Sequence, residues 1–180
     1  MAGRIEVICG CMFSGKSEEL LRRLRRVHIA KQGVLLIKPR VDDRYSDSEV
    51  VSHSAFRMEA IPVPGEDPWE IVKLWLGQGE PPVVGIDEGQ FFEDLTPVVQ
   101  RLVRGGSRVI IAGLDLDYRG EPFLAPELLS LAERVDKLTA VCVVCGGPAT
   151  RTHRLSGGTE RVEIGASDRY DARCREHWDE

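Results

Sequence analysis

The eight residues from Gly10 to Ser17 constrain the fold of this chain more than any other stretch. They read G-C-M-F-S-G-K-S, which fits the G-x-x-x-x-G-K-[S/T] pattern of a phosphate-binding loop. The pattern follows a short apolar run, Arg4–Cys9, and precedes a segment whose apolar residues recur with helical spacing. Such a loop works between a strand and a helix, where backbone N–H groups and the helix N-terminus face one phosphate. The motif therefore predicts an α/β domain that binds nucleotide phosphates here.

The residue types in this loop suit that task. Gly10 and Gly15 allow tight turns because they have no Cβ, Lys16 can reach the β- and γ-phosphates, and Ser17 can bind Mg²⁺. The alternative is a glycine-rich turn that contains Lys-Ser by chance. The strand before the loop and the helix after it favour the phosphate-binding interpretation.

Apolar runs alternate with helical segments from Arg4 to about Val135, which is typical of a largely parallel sheet. The predicted strands are Arg4–Cys9, Val34–Lys38, Val83–Asp87 and Ser107–Gly113. The predicted helices run from near Gly15 toward Gln32 with Gly33 as C-cap, from Pro68 to Leu76, and from Leu95 to Arg104.

Two acidic residues, Asp87 and Glu88, stand at the end of the predicted apolar strand Val83–Asp87. A phosphate-binding loop needs a carboxylate from a neighbouring strand for its metal, and Asp87 fits that role. Glu88 points elsewhere and can accept a proton from an attacking hydroxyl or water. The simpler alternatives are a strand-end turn residue for Asp87 and a solvated acid for Glu88.

Two pairs of metal-ligating residues lie near the C-terminus, Cys142 with Cys145 and Cys174 with His177. Each pair has the spacing that lets two ligands face one tetrahedral ion, so the four predict a closed, structural Zn²⁺ site. The alternative is two core cysteines and a chance second pair. A strand over Leu138–Val144 and no useful helix between the pairs are expected. The chain therefore divides into an α/β domain, residues 1–137, and a zinc-binding segment, residues 138–180.

Composition excludes several classes of protein. The 180 residues are 42% hydrophobic, and 24 basic against 29 acidic side chains give a net charge of −5. The hydrophobic fraction is high enough for the chain to form a buried core. The negative net charge disfavours general binding to nucleic acids, which depends on basic side chains. The longest uncharged apolar stretch, Leu138–Thr150, is too short for a bilayer, and no secretory signal is expected. We therefore expect a cytoplasmic protein without a membrane partner. The basic run Arg22–Arg26 is interpreted as the solvated face of the first helix.

The order of these motifs resembles that of the type II thymidine kinases. The matching stretches are the loop Gly10–Ser17, D-D-R-Y ending at Tyr45, D-E-G-Q-F-F from Asp87, G-L-D-L-D-Y-R-G-E-P-F from Gly113, and the two zinc pairs. The resemblance runs from about Arg4 to His177. It implies transfer of the γ-phosphoryl group of ATP to the 5′-hydroxyl of thymidine, giving dTMP. It also implies a RecA-like P-loop domain, a small zinc-bound lasso that closes over the nucleoside, homotetramers, and feedback inhibition by dTTP.

The resemblance also implies residue roles. Glu88 matches the general base, Asp87 and Ser17 the Mg²⁺ ligands, and Thr152 and Tyr170 two nucleoside contacts from the lasso. The implied ATP and phosphate contacts are Gly10, Cys11, Met12, Phe13, Ser14, Gly15, Lys16, Ser17, Arg44, Asp87, Glu88 and Gln90. The implied nucleoside contacts are Met12, Phe91, Leu114, Tyr118, Phe123, Thr152, Val162, Glu163, Ile164, Gly165 and Tyr170. Cys11 stands where many relatives have Pro, and Tyr118 replaces a more usual Phe.

Two other functions remain open from the residues alone. One is a P-loop ATPase in which Asp87 and Glu88 activate water; its ADP release would not depend on a nucleoside. The other is a zinc-ribbon binding protein with a vestigial nucleotide site, which a salt-dependent affinity for DNA would support.

Overall fold

A six-stranded sheet, parallel at every pairing, organises the protein. A computed structural model describes residues 3–40, 49–51, 57–156, 158, 161 and 169–178. The sheet strands are β1 (Arg4–Gly10), β2 (Val34–Pro39), β5 (Ile61–Val63), β6 (Val83–Ile86), β7 (Arg108–Gly113) and β8 (Arg134–Leu138). The helices are α1 (Lys16–Ile29), α2 (Glu70–Gly77), α3 (Leu95–Arg104) and α4 (Pro126–Leu131). Within these described ranges, no helix is long and apolar enough to cross a bilayer.

Within the described ranges, three small antiparallel ladders accompany the sheet. One joins β3 (Glu49–Val51) to β4 (Arg57–Glu59). The other two pair β9 (Ala140–Val141) with β10 (Pro148–Ala149) and β11 (Arg151–Arg154) with β12 (Tyr170–Arg173). The last two ladders come after the sheet in the chain, and Cys142, Cys145 and Cys174 lie next to their strands.

The strand order is β5-β2-β6-β7-β1-β8. The loop Gly10–Ser17 follows β1 and Asp87 follows β6, so β7 lies between the two strands that lead to the predicted phosphate and metal sites. The expectation that Asp87 follows a strand adjacent to β1 was therefore wrong. The carboxyl ends of parallel strands meet at one edge of the sheet, and Ser17 and Asp87 still come together across β7.

Both faces of the sheet are buried, which explains the continuous apolar runs in its strands. Leu20, Leu24 and Val27 of α1 pack with Ile8 of β1 on one face, as their helical spacing predicts. Helices α2, α3 and α4 pack with Val7 and the alternate strand residues on the other face.

Helix α1 ends earlier than the sequence suggests. Its C-cap is Ala30, and Lys31 takes the left-handed conformation (φ 55°) that was expected of Gly33. The backbone N–H of Gln32 donates to the Val27 carbonyl at 3.2 Å and closes the end of the helix. This is a Schellman motif, with Lys31 at the left-handed position that glycine usually occupies.

The predicted strand Leu138–Val144 is shifted in the structure. Strand β8 covers Arg134–Leu138, and only Ala140–Val141 continue as a second short strand. Because β8 is an edge strand that pairs with β1 alone, its side chains are mostly exposed and polar. It therefore lacks the apolar run by which β1, β2, β6 and β7 were predicted.

The charged side chains at the start of β1 correct the interpretation of Arg22–Arg26 as a solvated face. Arg23 is 4% exposed and donates to Glu6 at 3.0 Å, Asp136 at 2.7 Å and Glu19 at 2.8 Å. Burial alone would raise the pKa of Glu6, but hydrogen bonds from Arg108, Arg4 and Arg23 outweigh it and lower the pKa to about 2. The lowered pKa stabilises the fold above the ordinary carboxyl pKa, and this contribution is lost as the pH falls toward 2.

Replacing Arg23 with Met is expected to lower the free energy of unfolding by about 3 kcal/mol, because it removes the buried cation that joins Glu6 to Glu19 and Asp136. Arg22→Met is the matched control. Arg22 also pairs with Glu19, but its side chain is 59% exposed, so we expect a loss below about 1 kcal/mol. Urea midpoints of both variants measure the difference. Equal midpoints would show that the buried network adds nothing beyond a surface pair.

Candidate active site

The loop between β1 and α1 has the conformation that its glycines predict. Gly10 (φ 145°) and Gly15 (φ 81°) occupy backbone conformations that L side chains rarely adopt. A Cβ on Gly10 would lie 2.4 Å from the carbonyl oxygen of Leu138, on the neighbouring strand β8. Phe13 takes a positive φ (64°) without being glycine. The loop is therefore tightly constrained where nucleotide phosphates are expected.

Lys16 lies at the start of α1 and is buried. Its ammonium group donates to the carbonyl oxygen of Cys11 at 2.7 Å. Burial lowers the pKa of Lys16, against the opposing effect of the nearby Glu88 carboxylate. The lysine is thus held beside the loop, within a poorly solvated site where its charge interacts strongly with an anion.

Asp87 and Ser17 meet at the carboxyl edge of the sheet. The hydroxyl of Ser17 donates to Oδ1 of Asp87 at 2.9 Å, and Asp87 is 6% exposed. Burial, and then the adjacent Glu88 carboxylate, raise the pKa of Asp87 to about 7. A buried carboxylate beside a hydroxyl offers the hard oxygen donors that Mg²⁺ prefers, and a cation would offset the burial of this charge. The two residues therefore fit the predicted magnesium site.

Glu88 follows Asp87 in the left-handed conformation (φ 49°), which is uncommon for a non-glycine residue. The side-chain amide of Gln90 donates to Oε2 of Glu88 at 2.6 Å and accepts the backbone N–H of Leu114 at 3.0 Å. Gln90 is buried, so this bridge fixes both the carboxylate and the chain that follows β7. The described contacts of Gln90 are thus with Glu88 and Leu114.

Aromatic side chains lie near Leu114 and beyond it. Phe91 and Phe123 make an edge-to-face contact with ring centroids 5.6 Å apart. The hydroxyl of Tyr118 accepts a hydrogen bond from Arg119 at 3.0 Å, so the extra hydroxyl relative to Phe has a partner. Phe92 packs in the core instead. The chain therefore supplies flat apolar surfaces of the kind that hold a nucleobase.

Strands β11 and β12 bring the predicted lasso residues Thr152 and Tyr170 toward this edge. The hydroxyl of Thr152 accepts the backbone N–H of Met12 at 3.1 Å. Arg154 donates to the hydroxyl of Tyr170 at 2.8 Å and stacks on the Tyr118 ring at 3.8 Å. Sequence reasoning missed Arg154, because nothing in its sequence neighbourhood shows that two distant tyrosines meet there.

Five predicted site residues lie outside the described part of the chain. They are Arg44, Val162, Glu163, Ile164 and Gly165. The described lasso residue nearest to the last four in sequence is Arg161. Its guanidinium pairs with the buried Asp117 at 2.9 Å and lies 4.7 Å from the Phe123 ring centroid.

Cys142, Cys145, Cys174 and His177 form one cluster, with their ligand atoms all within 4.8 Å of one another. The Cys145 and Cys174 sulfurs are 3.9 Å apart, and the Cys174 sulfur lies 3.1 Å from Nδ1 of His177. Thiolates bound tetrahedrally at the usual zinc–sulfur length stand about 3.8 Å apart. The cluster thus has the ligand types and spacing of a structural zinc site.

The surroundings of Cys142 favour its thiolate form. Burial would raise the pKa of Cys142, but backbone N–H groups of Cys174, Cys145 and Val144 outweigh it and lower the pKa to about 6. Because the thiolate is the form that binds zinc, these N–H groups favour the ligand state. We find all five cysteines as free thiols, so no disulfide competes for the ligands.

Comparisons with known proteins identify the family to which this site belongs. A sequence model described as thymidine kinase matches residues 3–178. A protein named thymidine kinase from Coprothermobacter proteolyticus is 51% identical over 183 residues, which cover 97% of this chain and 90% of that relative. The family match covers the phosphate-binding loop and the Cys/His cluster together, and the chain belongs to the thymidine kinase family.

Proposed function

We propose that this protein transfers the γ-phosphoryl group of ATP to the 5′-hydroxyl of thymidine, giving dTMP and ADP. The observation that carries the proposal is the convergence of three groups at one sheet edge. These are the phosphate-binding loop with Lys16, the Asp87–Ser17 pair, and Glu88 held by Gln90. Membership in the thymidine kinase family supports the acceptor.

Lys16 and the loop Gly10–Ser17 bind and orient the phosphates of ATP in this proposal. Asp87 and Ser17 hold Mg²⁺, which when bound neutralises charge on the phosphoryl oxygens. Phosphoryl transfer needs little covalent help from the protein, so positioning and electrostatics supply most of the rate enhancement. Because Lys16 and Asp87 are buried, their charges interact more strongly with the phosphates and the metal than they would in water.

Glu88 acts on the acceptor. Its carboxylate orients the 5′-hydroxyl toward the γ-phosphorus and accepts the hydroxyl proton as the new P–O bond forms. The hydrogen bond from Gln90 at 2.6 Å holds the carboxylate in place before substrate binds. Gln90 is thus a positioning residue in this mechanism.

The nucleoside lies between the aromatic side chains and the lasso. Phe91, Phe123 and Tyr118 supply apolar surface, and Thr152 and Tyr170 approach from β11 and β12. We propose that residues 138–180 act as a lid on the domain formed by residues 1–137 and exclude water as a competing acceptor. Arg154 stabilises this arrangement because it contacts Tyr118 and Tyr170 at once.

Further properties follow from the family resemblance. We propose a homotetramer, feedback inhibition by dTTP and a cytoplasmic location. The zinc cluster supports the location because it needs reduced thiols, and those persist in the cytosol.

Steady-state ADP release with Mg·ATP and a panel of nucleosides tests the function. We expect turnover to depend on thymidine and to fall to a small residual rate without any nucleoside, because Glu88 is placed for a hydroxyl of a bound acceptor. Turnover at the full rate without nucleoside would assign the chain to the water-activating ATPases instead. Saturation by a purine nucleoside but not by thymidine would refute the acceptor.

A further inference from the structure

The second residue of the phosphate-binding loop belongs to the core of the zinc-bearing segment. Cys11 is 1% exposed and clusters with Ala140, Cys142, Ala149 and Ala172, all of which lie beyond β8. Its thiol donates to the carbonyl oxygen of Ala149 at 3.4 Å. The loop and the zinc segment therefore share one set of buried contacts.

The third residue of the loop makes a second, independent contact. The backbone N–H of Met12 donates to Oγ1 of Thr152 at 3.1 Å. Thr152 is 4% exposed, pairs with Ala172 across the β11–β12 ladder, and accepts the indole N–H of Trp178 at its own carbonyl. The zinc-bearing segment thus fixes the position of Thr152, and the Thr152 hydroxyl accepts a hydrogen bond from the loop.

These contacts reach the groups that bind phosphate. The carbonyl oxygen of Cys11 accepts the Lys16 ammonium at 2.7 Å and the Ser14 hydroxyl at 2.8 Å. One face of the Cys11–Met12 segment therefore touches the zinc segment, and the other positions the loop's lysine. Displacement of this segment would move Lys16, and an error of about 1 Å in such a group reduces function markedly.

We propose that Thr152 is a positioning residue for the phosphate-binding loop, so that the zinc-bearing segment sets the affinity for nucleotide as well as for nucleoside. The inference rests on the proposed function, in which the loop binds ATP. It assigns Thr152 a role that a contact with base or sugar alone would not give, since its hydroxyl is used by Met12.

Thr152→Val tests the proposal because it keeps the shape of the side chain and removes the acceptor. The dissociation constant of a Mg²⁺-bound, non-hydrolysable ATP analogue is measured by calorimetry without nucleoside present. We expect it to rise about threefold to tenfold, the ratio produced by losing one buried hydrogen bond. Thr152→Ser keeps the hydroxyl and should stay within about twofold of wild type. Thr139→Val makes the same chemical change at an exposed position of the same segment and should change nothing.

The outcomes separate the possible roles of Thr152. An unchanged nucleotide affinity in Thr152→Val, with a raised KM for thymidine, would overturn the proposal and leave Thr152 as a nucleoside contact only. If Thr152→Ser weakens nucleotide as much as Thr152→Val does, the hydroxyl contact is refuted. Thr152→Ala answers the same question if the valine variant does not fold. Failure of the wild-type protein to bind the analogue would instead refute the proposed function.

Discussion

Glu88→Gln is expected to lower kcat by about 10²–10⁴-fold, the usual contribution of a general base. The amide keeps the size of the side chain and can still accept the hydrogen bond from Gln90, so the positioning contact at Glu88 survives. What the variant loses is the capacity to accept the 5′-hydroxyl proton. Nucleotide affinity should remain near that of wild type, because Lys16 and the loop are untouched.

Glu93→Gln is the matched control for this variant. It makes the same change five residues further on, at an exposed side chain. Single-turnover measurements with saturating Mg·ATP and thymidine separate the chemical step from product release. A Glu88→Gln rate within about threefold of the control would remove Glu88 from the proton-transfer step. A loss confined to KM would mean that Glu88 only binds the nucleoside.

The central sheet and the phosphate-binding loop were predictable from sequence because their signals are local. Strands β1, β2, β6 and β7 are short apolar runs buried on both faces, and Gly10, Gly15, Lys16 and Ser17 occupy fixed positions in one motif. Helix α3 matched its prediction to the residue, since its apolar face is strongly periodic and glycines follow it. Each of these features depends on residues within about ten positions of one another.

Features that arise from distant residues were not predictable in the same way. Strand β8 is an exposed edge and carries no apolar pattern, and the burial of Arg23 depends on acids that are 17 and 113 residues away. The contacts of Thr152 with Met12 and of Arg154 with Tyr118 likewise join segments that only the fold brings together. The zinc ligands were an exception, because the spacing within each pair restricts the geometry strongly enough to predict the cluster.

We expect a bound zinc ion to supply most of the energy that holds residues 138–180, because their own apolar core is small. The strands β9 to β12 have two to four residues each, and among the described residues the apolar cluster beneath them consists of alanines and cysteines. Each buried methyl group contributes about 0.8 kcal/mol, whereas a structural zinc contributes on the order of 10 kcal/mol. Loss of the ion should therefore disorder this segment and leave the parallel sheet, which has its own core, folded.

Cys174→Ala is expected to abolish zinc binding and to lower kcat/KM for thymidine by on the order of 100-fold or more, since the lid residues Thr152 and Tyr170 lose their positions. Cys9→Ala is the matched control: it removes a thiol that is buried in the sheet core, outside the cluster, and should keep one zinc per chain. Zinc content by mass spectrometry, far-ultraviolet circular dichroism and steady-state kinetics are measured on both variants. Because Cys11 and Met12 contact the same segment, nucleotide affinity should also fall in Cys174→Ala and not in Cys9→Ala. Wild-type kcat/KM in a zinc-free Cys174→Ala protein would show that the segment closes over the nucleoside without its metal.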